Sequence, residues 1–254
     1  MTASTLVRHV EHVMGMPVSF AFRQPVPAEL IAAAVEVLRD IDARFSAYKA
    51  DSEISRLDRG EVDLAHCSPD VAEVLTACEA LHVATGGYFD AWATPAGTTP
   101  HLDPSGYVKG WAVERAGSVL DAGGIADWCI NAGGDVATRT GNGSPPWRIG
   151  IRHPEHARVV VAVVAAANLA VATSGAYLRG EHIIDPHTGR PPSGLASITI
   201  VGPSLATADA YATAAFARGP DGLRWAAGLA DHGVFAVLVG RAVSNPEFAR
   251  HRIT

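Results

Sequence analysis

Residues 159–173 are almost entirely valine and alanine, broken near the middle by Asn168. A membrane-spanning helix needs about 20 apolar residues, so this run is too short to cross a bilayer. Its β-branched content predicts two buried strands around a turn. Strands joined by so few residues belong to antiparallel or mixed sheets, since a parallel pair needs a crossover of a dozen or more residues. Residues 9–22 repeat the theme: Gly15 splits them, and Val18, Phe20 and Phe22 fall on one face. Further strands are predicted at residues 128–130, 147–151, 197–201 and 234–239.

Helices interleave with these strands. Over residues 27–45, Ile31, Val35, Leu38, Ile41 and Phe45 recur at three- and four-residue steps. Ser68 and Pro69 read as an N-cap and first helical residue, followed by Val71, Val74, Leu75, Cys78 and Leu81 and stopped at Gly86 and Gly87. Residues 109–120, 208–217 and 223–230 read as three more helices. The pattern predicts an α+β fold with mixed or largely antiparallel sheets packed with helices. No linker or repeat divides the chain, so one domain is expected over residues 1–254, with residues 1–8 a loose N-terminal segment.

Composition excludes several classes. With 48% apolar and 18% charged residues the 254-residue chain is not disordered. A net charge of −6 gives no global basic field to hold nucleic acid or an anionic membrane. Three cysteines, none in a CxxC pair, argue against a disulfide framework or structural zinc site. The first residues lack a basic start followed by an apolar run. The expectation is a cytoplasmic protein, monomer or homodimer, without nucleic-acid partner or membrane insertion.

Four segments carry candidate chemistry. Asn131 to Asp135 reads NAGGD; its paired glycines, Gly133 and Gly134, let backbone N–H groups converge on an anion, and equally suit a plain turn. Asp209 and Thr213 share one helix face and offer hard oxygen ligands for Mg²⁺ or another divalent cation; alternatively Thr207 or Asp209 caps that helix. His182 precedes a turn containing Asp185, Pro186, Thr188 and Gly189; it suits a base or a phosphate contact, or a surface hydrogen-bonding group. Asp103 opens a loop that reaches Lys109 at a helix start, a place for an anion. Walker, GxGxxG and GxSxG patterns are absent.

In order, these segments make a specific set. Met14-Gly15, Phe45 to Tyr48 with Ser52 to Leu57, Gly87-Tyr88-Phe89-Asp90, Asp103 to Gly110, NAGGD, Trp147 to Ile151, Ala172 to Gly175, His182-Ile-Ile-Asp-Pro-x-Thr-Gly and Ala208 to Ala214 together resemble the ApbE-type FAD:protein FMN transferases. The resemblance covers residues 14–239. It implies an FAD site in a cleft between two halves, with FAD as substrate and a divalent metal, usually Mg²⁺. It implies transfer of FMN to a Thr or Ser hydroxyl of an acceptor protein, with release of AMP. The alternatives are an FAD pyrophosphatase and a non-catalytic FAD-binding protein.

Position by position, the resemblance implies Asp209, Thr213 and the Gly106 carbonyl as metal ligands. It implies Met14, Tyr48, Tyr88, Phe89, Asp90, Asp103, Lys109 and Ser174 as FAD contacts, with Asn131, Gly133, Gly134 and Asp135 beside the pyrophosphate or supporting the site. His182 is expected to take the acceptor's proton, and Asp185 to orient it or assist the metal. Two departures stand out: Met16 follows Met14-Gly15 where many members carry Thr, and the approach to Lys109 lacks the usual glycine pair.

Overall fold

The computed structural model describes residues 6–175 and 183–253. The first half runs β1 (Val7–Val13), β2 (Met16–Phe22), α1 (Ala28–Phe45), α2 (Glu53–Asp58), a short 3-10 turn, α3 (Pro69–Ala84) and α4 (Ser105–Ala122). The second half runs β3 (Trp128–Ala132), β4 (Asp135–Arg139), β5 (Trp147–Arg152), β6 (Val160–Ala166), β7 (Ala170–Gly175) and β8 (Ser197–Gly202). Then come α5 (Leu205–Ala217), α6 (Pro220–Ala226), β9 (Gly233–Leu238), β10 (Arg241–Ser244), α7 (Pro246–His251) and β11 (Arg252–Ile253).

The fold is α+β. One sheet has eight strands in the order β1-β2-β3-β4-β7-β8-β9-β10, and a second has three in the order β11-β6-β5. Every pairing between these strands is antiparallel. The valine-alanine run does form two strands, but they do not pair with each other. β6 lies in the small sheet, between β5 and β11, while β7 lies inside the large one, between β4 and β8. The turn between them, where Asn168 has φ 53°, carries the chain from one layer to the other. The Asn168 side chain secures it by accepting the Thr140 N–H at 2.9 Å.

Strands β7, β8 and β9 of the large sheet are therefore covered on both faces. On one, α1, α4 and α5 pack over Phe20, Ile130, Ala172, Ile198 and Ile200 in the larger core. On the other, Val171, Val201, Phe235 and Val237 meet Ile151, Val164 and Phe248 in a second core. Burial of every residue of β8 follows from that double cover. α4 and α5 touch backbone to backbone: a Cβ on Gly110 would lie 2.6 Å from the Leu205 carbonyl oxygen, so only glycine fits.

Several boundaries differ from those the sequence predicts. β1 starts at Val7, opposite Phe22, so Val7 and Arg8 are ladder residues rather than loose chain. α4 starts at Ser105, four residues before Lys109: Pro104 ends the loop, and Asp103 Oδ1 accepts the Ser105 N–H at 3.0 Å. Gly106 is thus in a helix, not in the loop. Ser68 does occupy the N-cap position of α3, yet its hydroxyl does not cap; it accepts from Arg44 at 3.0 Å. α6 starts earlier than expected because Pro220 sits at its first turn. The short elements α2, β10 and α7 carry too few periods to be read from sequence. Among the described residues no helix is long and apolar enough to cross a membrane.

Candidate active site

The site lies where α4 and α5 approach β4 and β7. Side chains alternate along a strand, so Asp135 shares the helix-facing side of β4 with Ala137, and Ser174 that of β7 with Ala172. Lys109, in the second turn of α4, joins the two sides. Its Nζ lies 2.5 Å from Asp135 Oδ2 and 3.2 Å from Asp209 Oδ1. The two carboxylate side chains are only 4% and 3% exposed. Burial alone would push the ammonium toward its neutral form. The charges of Asp135 and Asp209 outweigh that effect and hold the Lys109 pKa above the usual lysine value. Asp135 also ties β4 to β7, its Oδ1 accepting the Thr173 N–H at 2.7 Å.

Asp209 is placed by the way α5 begins. Ser204 caps the helix, accepting the Thr207 N–H at 3.2 Å. Glu114, reaching from α4, accepts from the Leu205 N–H and from Ala206 N at 3.3 Å. A carboxylate over the first N–H groups is favoured by the helix dipole. Neither Thr207 nor Asp209 is therefore the cap, and Asp209 sits in the second turn, where its carboxylate meets Lys109. One turn later, Thr213 Oγ1 is 3.5 Å from Ser174 Oγ. It is also 3.7 Å from where a Cβ on Gly106 would sit, so α4, α5 and β7 converge there.

These groups open onto a cavity of about 600 Å³. Of the residues expected in the site, Met14, Tyr48, Tyr88, Phe89, Asp90, Asp103, Gly106, Lys109, Gly133, Asp135, Ser174, Asp209 and Thr213 line it. The lining draws on both halves of the chain. Tyr48 is 93% exposed at the rim, whereas Phe89 is buried. Asn131, Gly134 and Asp185 are not among the described lining residues. Asn131 instead closes the β3–β4 turn, its Oδ1 accepting the Gly134 N–H at 2.9 Å. Both Asp185 carboxylate oxygens are used within its own turn, by the His187 N–H and the Thr188 hydroxyl, each at 3.0 Å. His182 lies outside the described residues.

Sequence reasoning missed three contributors. Asp42 and Lys49 line the cavity as an ion pair with N···O 2.7 Å. Lys49 directly follows Tyr48, which was the available signal; Asp42 had none. Glu114 sits mid-helix, and nothing local marks it as the cap of another helix.

The donor set suits a hard cation. Asp209, Thr213 and Ser174 offer oxygens, and the described lining includes no histidine or cysteine. Sequence and fold were both found in known proteins. A profile of the ApbE family matches residues 14–99 and 93–238. The chain belongs to the ApbE family.

An FAD:protein FMN transferase of Rhodobacter capsulatus is 41% identical over 145 residues, 54% of this chain and 27% of that protein. One from Haemophilus influenzae is 28% identical over 246 residues, 73% of this chain and 71% of its own. The Escherichia coli K12 protein of the same description is 33% identical over 132 residues, covering 48% and 38%. The match thus spans well under half of the Rhodobacter and Escherichia proteins. Among solved structures, flavin transferase ApbE from Vibrio cholerae superposes with TM-score 0.83 at 22% identity, over 98% of this chain and 100% of that one. The ApbE protein of Thermotoga maritima gives 0.84 at 22%, over the same shares. At that identity the two structures show the ApbE fold.

Proposed function

We propose that this chain is an FAD:protein FMN transferase. The observation that carries the reading is the cavity itself: in an ApbE-family chain, one 600 Å³ space joins Lys109, Asp135, Asp209, Thr213 and Ser174 to the aromatic wall at Tyr88 and Phe89. A dinucleotide needs both an apolar surface for its rings and compensation for its pyrophosphate charge. This lining supplies both.

The reaction is a displacement at phosphorus. The oxygen of an acceptor Thr or Ser hydroxyl bonds to the phosphorus on the FMN side of FAD. The bond from that phosphorus to the bridging oxygen breaks, and AMP leaves with that oxygen. The hydroxyl proton passes to His182, whose neutral imidazole suits proton abstraction near neutral pH. FMN remains on the acceptor as a phosphoester.

Mg²⁺ would be held by Asp209, Thr213 and the Gly106 carbonyl, with Ser174 adjacent. Its chemistry would be to offset charge on the phosphate oxygens. Lys109 offers a second positive charge in the same space and is kept protonated by its two carboxylates. Tyr48 at the rim and Tyr88 in the wall would supply aromatic contacts to FAD. Asp103 and Asp90 shape the approach between them.

Incubation with FAD, Mg²⁺ and candidate acceptor proteins tests the reading, with nucleotides and protein masses followed together. The expected result is AMP produced one for one with FMN-bearing acceptor. Free FMN and AMP without any acceptor would identify a pyrophosphatase, with water in place of the hydroxyl. FAD left intact with all components present would identify a binding protein. For His182→Ala, single-turnover transfer should slow by roughly a hundredfold with FAD affinity retained.

A further inference from the structure

Two neighbouring stretches of chain form part of the cavity wall. One is residues 88–93, which follow α3 and contribute Tyr88, Phe89 and Asp90; the other is residues 183–186. Neither is part of a regular element, so neither is held by a sheet ladder or helix bonds of its own. What joins them is the turn that begins at Asp185. Inside that turn, Asp185 and Thr188 commit their side chains to each other and to the His187 N–H. His187 is the side chain that reaches out.

Its Nε2 lies 3.1 Å from the Gly86 carbonyl oxygen. A carbonyl only accepts, so Nε2 carries the proton and donates. The imidazole meets the Tyr88 ring edge-on, with centroids 4.5 Å apart and planes at 69°. It lies so close over Gly87 that a Cβ there would be 3.1 Å from its Cε1. A second bond runs alongside: the Ala96 N–H donates to the Gly189 carbonyl at 2.8 Å. Arg218, capping the end of α5, places its guanidinium 4.9 Å from the Tyr88 ring centre. Tyr88 is thus held by groups from outside the cavity, leaving its cavity side available.

We propose that His187 is a positioning residue that fastens the 88–93 wall to the 183–186 wall and so presets the surface that receives the flavin dinucleotide. The assignment rests on the reading of the cavity as an FAD site. His187 itself touches neither phosphate nor metal ligand. It acts through the Gly86 carbonyl and the Tyr88 ring. The Nε2 donor is present in both the neutral Nε2–H tautomer and the imidazolium, so the fastening holds whichever charge the ring carries.

Two substitutions separate positioning from simple support. His187→Leu removes the donor and the aromatic edge. His187→Gln keeps an N–H at comparable reach. Hydrogen exchange on the ligand-free protein reads the fastening directly: in His187→Leu the Ala96 amide should exchange roughly tenfold faster, with the sheet amides unchanged. FAD titration reads the consequence: affinity should fall about tenfold in His187→Leu, the loss of one hydrogen bond and one ring contact, and return to within about twofold in His187→Gln.

Unchanged exchange at Ala96 would overturn the fastening. Faster exchange with undiminished FAD affinity would overturn the role in substrate placement. Equal weakening in both variants, together with a lowered melting temperature, would reduce His187 to general support. If the wild-type chain takes up no FAD, the proposed function fails, and the exchange result alone decides whether the walls are fastened.

Discussion

The two faces of the large sheet differ in chemistry. The helix-facing side admits Asp135, Ser174, Lys109 and Asp209 among apolar neighbours. The side facing the small sheet is neutral: Val171, Val201, Phe235 and Val237 meet Ile151, Val164 and Phe248, with Phe235 and Phe248 stacked at 5.1 Å, and its hydroxyls pair with each other, Thr173 Oγ1 lying 2.8 Å from Thr199 Oγ1. The same strands serve both, through alternation of side chains. Val171 and Ala172 are neighbours in sequence and belong to different cores. A buried charged cluster costs stability unless it is mutually satisfied, so its concentration on one face marks where function outweighs packing.

Paired substitutions test that division. On the polar face, Asp209→Ala should lower FAD turnover by at least about a hundredfold through loss of a charged metal ligand. Its folding free energy should stay within about 1 kcal/mol, because Lys109 keeps Asp135 as partner. On the neutral face, Phe248→Ala should cost about 3–5 kcal/mol, with activity per folded molecule preserved. Denaturant melts and turnover on the same preparations check both. Reversed outcomes would erase the distinction between the faces.

Lys109→Met probes the polar face from its centre. It strands two buried carboxylates and should cost about 3–5 kcal/mol in addition to its effect on turnover. Partial recovery of stability in Asp135→Asn/Lys109→Met is expected, since one stranded carboxylate is removed; no recovery would show that the lysine's own packing sets the cost.

Most of the elements and the single site residues were legible in sequence; the division between faces was not, for physical reasons. The strand pattern marks which residues are buried but not which layer receives them, so β6 and β7 looked like partners although they lie in different sheets. Lys109, Asp135 and Asp209 could be named singly. Their ion pairs could not, because they depend on α4 and α5 touching at Gly110. The start of α4 was obscured by Pro104 and Gly106, residues that read as loop. Glu114 was invisible because its partner N–H groups are 91 and 92 residues away.

Glu114 offers a milder test. Glu114→Ala removes the acceptor for the first N–H groups of α5 and should cost about 1–2 kcal/mol. FAD turnover should fall too, since α5 carries Asp209 and Thr213. Equal loss of stability with unaltered turnover would mean that the register of α5 is set by Ser204 alone.

The smallest effect belongs to Cys78, whose thiol is pushed up to about 12 by burial in the helix-side core. The folded state therefore keeps a proton that the unfolded chain loses near pH 8.5. Stability from this group is intact below that pH and declines as pH rises toward 12. Between pH 9 and 10 the wild type should lose about 1 kcal/mol more than Cys78→Ala in urea melts. Parallel pH dependence of the two proteins would show the thiol to be accessible.

Calorimetric titration of the wild-type chain with FAD and with NAD, each with and without Mg²⁺, tests the central assignment most directly. A flavin-dinucleotide site on the polar face predicts that FAD binds more tightly than NAD and that Mg²⁺ strengthens FAD binding. NAD binding as tight as FAD, or no uptake of FAD with Mg²⁺ present, would contradict it.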